Sequence, residues 1–250
     1  MTPQNESATS SVGVKVVDYG IGNLRSAQKA FEFIGSDVEL TSDHASIASA
    51  DALVLPGVGS FGPTMEALRR LGLDDSIRSF INSGRPFLGI CVGMQVLYES
   101  SEESPGVDGL GLIPGVVTEL TGPVRTPQMQ WNTVQLRGER PDTVFDDLGA
   151  EPWLYFVHSY AAQVGEYTIA SCEYGQTFSA AIRRENIIAT QFHPEKSSRA
   201  GLRLWRTSLP VPRADLPKHG LVSTGFADIR ISGQQISQHS SAEQFWDHHS

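Results

Sequence analysis

The sequence predicts an α/β fold in which an open, mostly parallel sheet is flanked by helices and extended by an antiparallel β portion. Three observations predict it. From residue 12 onward, short apolar and β-branched segments alternate with segments of helical period. The segments 52–55 and 87–90 are apolar throughout, as is typical of parallel strands covered on both faces. After about residue 112, strand candidates follow one another with little helix between them.

Each element is predicted from these patterns in chain order. The first half is expected to contain strands over 13–17, 38–40, 52–55 and 87–90 and a helix over 24–34. The second half is expected to contain strands over 115–120, 133–136, 153–157, 168–172, 178–183 and 187–191. A helix over 197–208 closes the domain with one apolar face, and Pro210 stops it.

The chain therefore divides into a polar extension (1–11), one domain (12–209) and a tail (210–250) rich in Ser, Gln, His and Asp, whose order the sequence leaves open. Four of the seven histidines lie in the tail, but their spacing matches no zinc pattern, so we expect no metal site. The first residues lack the basic start and apolar stretch of a secretory signal, and no apolar run approaches the roughly 20 residues that span a bilayer.

The charge and the cysteine content limit the kinds of partner and the cellular compartment that we expect for this protein. The chain carries 19 Lys and Arg against 28 Asp and Glu, a net charge of −9 that gives no support for binding a nucleic-acid backbone. Its two cysteines cannot form a disulfide scaffold or a four-cysteine zinc site. We expect a soluble protein in the reducing cytoplasm, without nucleic-acid or membrane partners.

The segment 87–95 carries the most informative motif, an apolar strand that runs through Gly89-Ile-Cys-Val-Gly93 into a helix. Glycines beside the cysteine leave room for a tight strand-to-helix turn, which resembles a nucleophile elbow with Cys in place of Ser. At a helix N-terminus, backbone N–H groups and the helix dipole favour the reactive thiolate of Cys91. The alternative is a buried structural cysteine, and the motif alone does not decide between them.

A cysteine nucleophile needs a base, and the base needs an orienting partner. Outside the tail, the candidate bases are His44, His158 and His193. His193 comes directly after an apolar strand, and Glu195, two residues on, can hold its imidazole in one tautomer. The pattern therefore predicts a triad of Cys91, His193 and Glu195. We expect His158, at the end of another apolar strand, to be a core histidine with a supporting role.

A glycine-rich turn, Leu55-Pro-Gly-Val-Gly-Ser60, follows the buried strand over 52–55. Such turns expose backbone N–H groups that bind phosphate or an oxyanion. This one lacks the length and the Lys of a P-loop. The N–H groups of Gly57, Val58 and Gly59, paired with that of Val92, instead suit the oxyanion of cysteine chemistry.

Together these motifs resemble a known family. Gly89-Ile-Cys-Val-Gly-Met-Gln95 with Phe192-His-Pro-Glu195 is similar to the class I, or triad, glutamine amidotransferases, which have a flavodoxin-like α/β fold. Resemblance to the glutaminase subunits of imidazole glycerol phosphate synthases lies in Val17-Asp-Tyr-Gly-Ile-Gly-Asn-Leu-Arg-Ser26, Pro56-Gly-Val-Gly-Ser-Phe61, Tyr155-Phe-Val-His-Ser-Tyr160 and Phe192-His-Pro-Glu-Lys-Ser197. The similarity covers roughly residues 12–209 and is specific, because five separated segments match in order.

The resemblance implies that Cys91 attacks the side-chain carboxamide of glutamine, that His193 protonates the departing ammonia, and that Glu195 keeps the imidazole aligned. Water then releases glutamate from a γ-glutamyl thioester. The ammonia passes to a partner (β/α)8 cyclase subunit, in a heterodimeric, lyase-type synthase of histidine biosynthesis. No cofactor is implied.

The resemblance also implies two further sets of residues. Contacts to glutamine are expected from Gln95, Glu103, Ser159 and Tyr160. Contacts to the cyclase subunit are expected from Asp18, Asn23, Arg25, Met129, Trp131 and Asn132. Read without the resemblance, the first three of these interface residues are ordinary loop residues, and Trp131 is an ordinary core side chain.

The sequence departs from the family in three places. Pro127-Gln-Met-Gln-Trp-Asn132 stands where the family has Pro-His-Met-Gly-Trp-Asn, so Gln128 and Gln130 put the coupling to the partner in question. Val92 replaces a usual Leu, a change that leaves the backbone amide in place. The tail over 210–250 is absent from the family.

Three alternatives remain open on the sequence alone. One is a glutaminase subunit of the anthranilate or aminodeoxychorismate synthase type, although these types lack the segments over 18–23 and 155–160. The second is a cysteine hydrolase that acts without a partner, and the third is a non-catalytic interaction protein that keeps the fold.

Overall fold

The computed structural model describes residues 12–21, 24, 28, 32, 37–138, 142–146 and 148–209. The predicted extension over 1–11, the tail over 210–250 and most of the predicted helix over 24–34 lie outside the described residues. So do two of the expected interface residues, Asn23 and Arg25, and the four histidines of the tail.

An eight-stranded sheet forms the centre of the domain. Its members are β1 (Gly13–Val17), β2 (Asp37–Thr41), β3 (Ala52–Gly57), β4 (Phe87–Cys91), β8 (Gln135–Leu136), β11 (Thr168–Tyr174), β12 (Gln176–Arg184) and β13 (Ile187–Thr190). The order across the sheet is β2-β1-β3-β4-β13-β12-β11-β8. The first five strands in this order run parallel to one another, and each of the last three pairs antiparallel with the strand before it. This confirms the predicted parallel sheet with an antiparallel extension.

Two smaller sheets complete the β structure. One joins β5 (Ser100–Ser101), β6 (Val116–Glu119) and β10 (Tyr160–Ala162). The other is an antiparallel ribbon of β7 (Gln128–Thr133) and β9 (Trp153–His158), and we call it the β7–β9 ribbon.

Five helices pack around the sheets in the described part of the chain. They are α1 (His44–Ser49), α2 (Phe61–Arg70), α3 (Leu73–Asn82), α4 (Val92–Gln95) and α5 (Ser198–Ser208), and 3-10 turns cover Thr143–Phe145 and Pro194–Lys196. The Asp43 carboxylate caps α1 by accepting from the Ser46 N–H at 2.7 Å. The closing helix α5 buries Leu202, Leu204 and Trp205, as its apolar face predicts.

The predicted strand over 133–136 is wrong in its position. The chain forms β7 over Gln128–Thr133 and then the short β8 over Gln135–Leu136. Strand β7 has a largely exposed and polar pattern, so local periodicity gives it little signal, and its pairing with β9 decides its structure. The strands β5 and β10 were not predicted, since two or three residues are too few to show a period.

Among the described residues, no helix is long and apolar enough to cross a membrane. The same part of the chain brings together no group of three or more His, Cys, Asp or Glu side chains that could hold a metal ion.

The centre of the sheet places the chemistry-bearing segments at one edge. Every residue of β3 and β4 is buried, and the two strands run parallel with Gly57 opposite Cys91 at their carboxyl ends. Strand β13 lies parallel on the other side of β4 and leads into the segment with His193. Three neighbouring strands therefore deliver the glycine-rich turn, the cysteine and the histidine to the same place, as expected of an open α/β sheet.

Glycines permit close backbone packing at this edge. A Cβ on Gly93 would overlap the Leu55 carbonyl oxygen, and one on Gly89 would lie 2.7 Å from the Gly93 carbonyl oxygen. A Cβ on Gly57 would lie 2.7 Å from the Cβ of Val92. The strands β3 and β4 and the start of α4 therefore approach at distances that no side chain allows, which confirms the spatial reason for the glycines beside Cys91.

We expect Gly93→Ala to lower the free energy of unfolding by about 3 kcal/mol, because the new methyl group overlaps a backbone atom that cannot move aside cheaply. Gly165→Ala is the matched control, since its Cβ would meet nothing within 4 Å and its φ is not in the left-handed region. Urea denaturation measures both variants. Equal stabilities would contradict the packing argument.

Candidate active site

Cys91 occupies a strained turn between a strand and a helix. It ends β4 and caps α4, with φ 54° and ψ −113°, backbone angles that a non-glycine residue rarely adopts. Its thiol is free, and the residue is buried. The geometry is that of the predicted elbow, in which packing of the surrounding backbone imposes strain on the presented residue.

His193 and Glu195 form a buried pair directly after β13. The Nδ1 of His193 lies 2.7 Å from Oε1 of Glu195, and the His193 backbone N–H donates to the Tyr155 carbonyl at 2.9 Å. The His193 Nε2 has no hydrogen-bond partner within the described residues. Since the carboxylate holds Nδ1, Nε2 is the atom that remains for proton transfer.

Electrostatics favours the charged form of this pair. Burial lowers the pKa of His193, but the Glu195 carboxylate and the Cys91 sulfur beside the ring outweigh burial and raise it above its ordinary value. Burial raises the pKa of Glu195, and the charge of His193 outweighs it and lowers the pKa. The two shifts favour an imidazolium that a carboxylate stabilises, next to the sulfur of Cys91.

The glycine-rich turn lies against the elbow. Gly57 is in contact with Val92, and Gly59 has φ 108°, a conformation that favours glycine. The hydroxyl of Tyr19, fully buried after β1, donates to the Pro56 carbonyl at 2.9 Å. Sequence reasoning missed Tyr19, although its place at the end of the strand beside β3 puts it under the turn.

Two of the expected substrate residues, Glu103 and Tyr160, lie in an acidic part of the structure. The Glu103 carboxylate accepts from the Phe61 N–H at 2.8 Å, just after the turn. Partial desolvation raises the pKa of Tyr160, and the nearby carboxylates of Glu119, Glu103 and Glu102 raise it further. The neighbourhood of Tyr160 is thus acidic, which suits a cationic group on a ligand.

The other two expected substrate residues are tied into the protein. The Gln95 side chain is buried and donates to the Tyr160 carbonyl at 2.8 Å. Ser159 is half-buried, and its carbonyl accepts from the Leu120 N–H at 2.9 Å.

The β7–β9 ribbon has an exposed apolar face. Met129 and Trp131 are 44% and 43% exposed, and Trp153 on the paired strand is 54% exposed. The rings of Trp131 and Tyr155 make an edge contact at 6.1 Å. Large apolar side chains exposed together mark an interaction surface, so Trp131 is not the core residue that its local sequence allows.

The remaining expected interface residues make contacts within the chain. Asn132 donates to the Glu173 carbonyl at 3.0 Å, and the Asp18 carboxylate accepts from the Gly20 N–H at 2.9 Å. Both have partial exposure, so these contacts leave them accessible from one side.

The two glutamines that depart from the family pattern differ in their surroundings. Gln128 is fully buried and pairs in register with His158 on the inner side of the ribbon. Gln130 is exposed and pairs with Phe156 in regular strand geometry, without a positive φ. The backbone at residue 130 therefore does not need glycine.

The chain matches one protein family over most of its length. Residues 15–206 match the family described as glutamine amidotransferase class I. Among solved structures, the "Crystal structure of glutamine amidotransferase" has a TM-score of 0.61 at 21% identity and covers 77% of this chain and 95% of that one. The "Structure of PurLQS from Thermotoga maritima" has a TM-score of 0.62 at 19% identity over 79% and 97% of the two chains. The structural likenesses show the same fold, and the family match defines the class of protein as a glutamine amidotransferase.

Similar sequences narrow the family. The "Imidazole glycerol phosphate synthase subunit HisH" of Methanothermobacter thermautotrophicus is 46% identical over 202 residues, 80% of this chain and 100% of the relative. The HisH subunit of Salinibacter ruber is 42% identical over 209 residues, 80% and 95% of the two chains. The chain belongs to the class I glutamine amidotransferases, in the family of the HisH subunits of imidazole glycerol phosphate synthase.

We expect Cys91→Ala to reduce glutamine hydrolysis to below about one thousandth of the wild-type rate, because no thioester can form without the sulfur. Thermal unfolding should be nearly unchanged, since the substitution opens only a small space. A glutamine-analogue electrophile should label Cys91 and spare Cys172, whose pKa burial raises to about 12. Peptide mass spectrometry resolves the two sites, and labelling at Cys172 alone would overturn the assignment.

His158 should make the fold sensitive to acid. Burial lowers the pKa of His158 from 6.5 to about 4. The hydrogen bond from Nδ1 to the Tyr160 carbonyl raises the pKa but does not outweigh burial. Between pH 7 and pH 5 the unfolded chain takes up a proton at His158 that the folded chain does not, so the free energy of unfolding falls with pH by about 2 kcal/mol. His158→Gln keeps an N–H donor but cannot titrate.

Urea denaturation at pH 7 and pH 5 tests this expectation. The variant His158→Gln should lose about 2 kcal/mol less than the wild type over that interval. His44→Gln, a change at an exposed histidine, is the control and should keep the wild-type pH dependence. The same slope for wild type and His158→Gln would show that this histidine does not resist protonation.

Proposed function

We propose that this chain is the glutaminase subunit of imidazole glycerol phosphate synthase, with Cys91 as nucleophile, His193 as acid and base, and Glu195 as the group that orients the imidazole. One observation carries the proposal: the cysteine sits in a strained elbow beside a histidine whose Nδ1 is held 2.7 Å from a buried carboxylate. A structural cysteine requires neither the strain nor the neighbouring pair.

The geometry supports a two-step hydrolysis. The Cys91 thiolate attacks the side-chain carbonyl carbon of glutamine, and the N–H of Val92 with those of the glycine-rich turn stabilises the resulting oxyanion. Nε2 of His193 gives its proton to the amide nitrogen, and ammonia leaves. Water then attacks the thioester and passes a proton to the same Nε2, after which the carbon–sulfur bond breaks and glutamate departs.

The acidic neighbourhood of Tyr160 supports recognition of a free amino acid. The α-ammonium group of glutamine is the cationic part of the substrate, and the Glu103 carboxylate accepts from the Phe61 N–H directly after the glycine-rich turn. A peptide-bound glutamine lacks that ammonium group. This feature supports free glutamine over a peptide as the substrate.

The apolar face of the β7–β9 ribbon supports docking of a (β/α)8 cyclase subunit. Its exposed Met129, Trp131 and Trp153 are typical of the centre of a protein interface. The Lys196 ammonium lies 5.9 Å from the Tyr155 ring centre on this ribbon, and Lys196 directly follows Glu195. The interface and the triad are therefore adjacent, which suits transfer of ammonia from one subunit to the other.

A relative of larger size supports the same partnership. The "Imidazole glycerol phosphate synthase hisHF, chloroplastic" of Arabidopsis thaliana is 40% identical over 225 residues, which cover 87% of this chain but 38% of the plant protein. The greater part of the plant chain thus lies outside the glutaminase-like part.

We place the reaction in the cytoplasm, because an unprotected thiol nucleophile needs a reducing compartment.

We expect the chain alone to hydrolyse glutamine slowly and the cyclase subunit with its ligand to raise kcat more than it lowers KM. The physical reason is that Gly57 and Gly59 flank Val58, so the orientation in which the N–H groups of the turn can donate to an oxyanion is a minor state until the partner favours it. Glutamate release measured with and without the partner tests this. Full activity of the isolated chain would reject it.

The docking surface can be tested in the same assay. Trp131→Ala should weaken cyclase binding at least about tenfold, while the basal rate of the isolated chain stays unchanged. Leu71→Ala is the control. Leu71 is also an exposed apolar side chain, at 38%, but it follows α2 in the sequence and is not part of the β7–β9 ribbon. Unchanged binding of the Trp131 variant would place the interface elsewhere.

A further inference from the structure

A buried glutamine next to the triad has no part in the chemistry described so far. Gln191 follows β13, two residues before His193, and its side chain is completely shielded from solvent. Its backbone N–H donates to the Ala180 carbonyl at 2.9 Å, which fixes the main chain at this point. Its amide Nε2 lies 3.7 Å from the sulfur of Cys91, within hydrogen-bond distance for sulfur.

The Tyr160 backbone carbonyl determines, through the side chain of Gln95, how the side-chain amide of Gln191 is oriented. The Tyr160 carbonyl can only accept, so the Gln95 side chain must turn its Nε2 toward it, at 2.8 Å. The same Nε2 also donates to Oε1 of Gln191 at 3.1 Å. With its oxygen held by Gln95, Gln191 must present its N–H group to the sulfur of Cys91.

The Tyr160 carbonyl is itself held by a second donor. Nδ1 of His158 lies 2.9 Å from the same oxygen. Because burial keeps this histidine neutral, its Nδ1 carries the proton that the carbonyl accepts. The series of hydrogen bonds from the Tyr160 carbonyl through Gln95 to Gln191 therefore starts at an oxygen atom that two donors hold in place.

Besides the charged ring of His193, two groups of opposite character lie close to the sulfur. The Val157 carbonyl lies 3.9 Å away and can interact only with a protonated thiol, since it needs a donor. The Gln191 N–H group donates, and a donated hydrogen bond is stronger when the acceptor carries a negative charge. Gln191 therefore favours the thiolate, whereas Val157 favours the thiol.

We propose that Gln191 is a positioning residue of the glutaminase, which holds the Cys91 thiolate in place through an N–H group oriented by Gln95 and the Tyr160 carbonyl. The inference rests on the proposed role of Cys91 as nucleophile. It also links the nucleophile to Gln95 and Tyr160, two of the residues that are expected to contact glutamine.

Two substitutions separate the donor from the rest of the side chain. Gln191→Met keeps the length and removes both polar atoms. Gln191→Glu keeps an oxygen for Gln95 and replaces the donor by an anion that repels the thiolate. The pH dependence of Cys91 alkylation by iodoacetamide in the full-length chain is followed by peptide mass spectrometry, which separates Cys91 from Cys172, and thermal unfolding checks that each variant is folded.

We expect the pH midpoint of Cys91 alkylation to rise by about one unit in Gln191→Met and by more in Gln191→Glu, as follows from losing a charge-assisted hydrogen bond. In the complex with the cyclase subunit, kcat for glutamine should fall at least about tenfold, with a smaller change in KM. Thr190→Val is the matched control. It removes the buried hydrogen bond from Thr190 Oγ1 to the Phe192 carbonyl, 3.0 Å, without touching the sulfur.

The control should lose thermal stability and keep the wild-type alkylation midpoint. A folded Gln191→Met or Gln191→Glu variant with the wild-type midpoint and kcat would overturn the role of Gln191 while leaving Cys91 as the nucleophile. An active Cys91→Ala protein, in contrast, would overturn the proposed function and this inference with it. The two failures are therefore distinguishable.

Discussion

The contact between three backbone segments without side chains underlies the rest of this structure. Gly57, Gly89 and Gly93 let the end of β3, the end of β4 and the first turn of α4 approach closely, and any Cβ at these positions would meet a neighbour at or below 2.7 Å. This packing holds Cys91 at its positive φ and keeps the glycine-rich turn beside it. The strain of the elbow persists because the surrounding close-packed backbone leaves the residue no alternative.

The parallel order of β3, β4 and β13 adds the second constraint. Parallel strands end at one edge, so a histidine that follows β13 must lie close to a cysteine that ends β4. Motifs with local chemistry, such as the elbow and the His-Pro-Glu segment, were therefore predictable from the sequence. The apolar strands and the amphipathic closing helix were predictable because burial imposes a period on them.

Other features could not be predicted from local patterns. Strand β7 is polar and exposed for most of its length, and only its partner β9 makes it a strand. The contact of Tyr19 with Pro56 spans 37 positions of sequence, and that of Gln191 with Cys91 spans 100. An amide buried by distant segments looks, in sequence, like any glutamine after a strand. The period of apolar residues shows which face of a strand or helix is buried. It does not show which distant segments pack against that face, and the contacts of Tyr19 and Gln191 depend on that packing.

The β7–β9 ribbon shows how two surfaces share one thin element. Its outer face carries Met129, Trp131 and Trp153, and its inner side carries Gln128 and His158 against the buried aromatic rings. Neighbouring residues of a strand point to opposite faces, so a movement of the ribbon under a bound partner necessarily displaces the groups behind it. No separate connecting element is required between the proposed docking surface and the proposed active site.

The main-chain character of the proposed oxyanion donors has a consequence for which residues can be substituted. Backbone N–H groups persist whatever side chain a residue carries, so Val92 can stand where a leucine is usual without loss of the donor. Gly89 and Gly93, in contrast, let the strands and the helix start approach at distances that no side chain allows. A substitution is therefore easier to accommodate at Val92, which contributes a main-chain N–H, than at the glycines packed beside it.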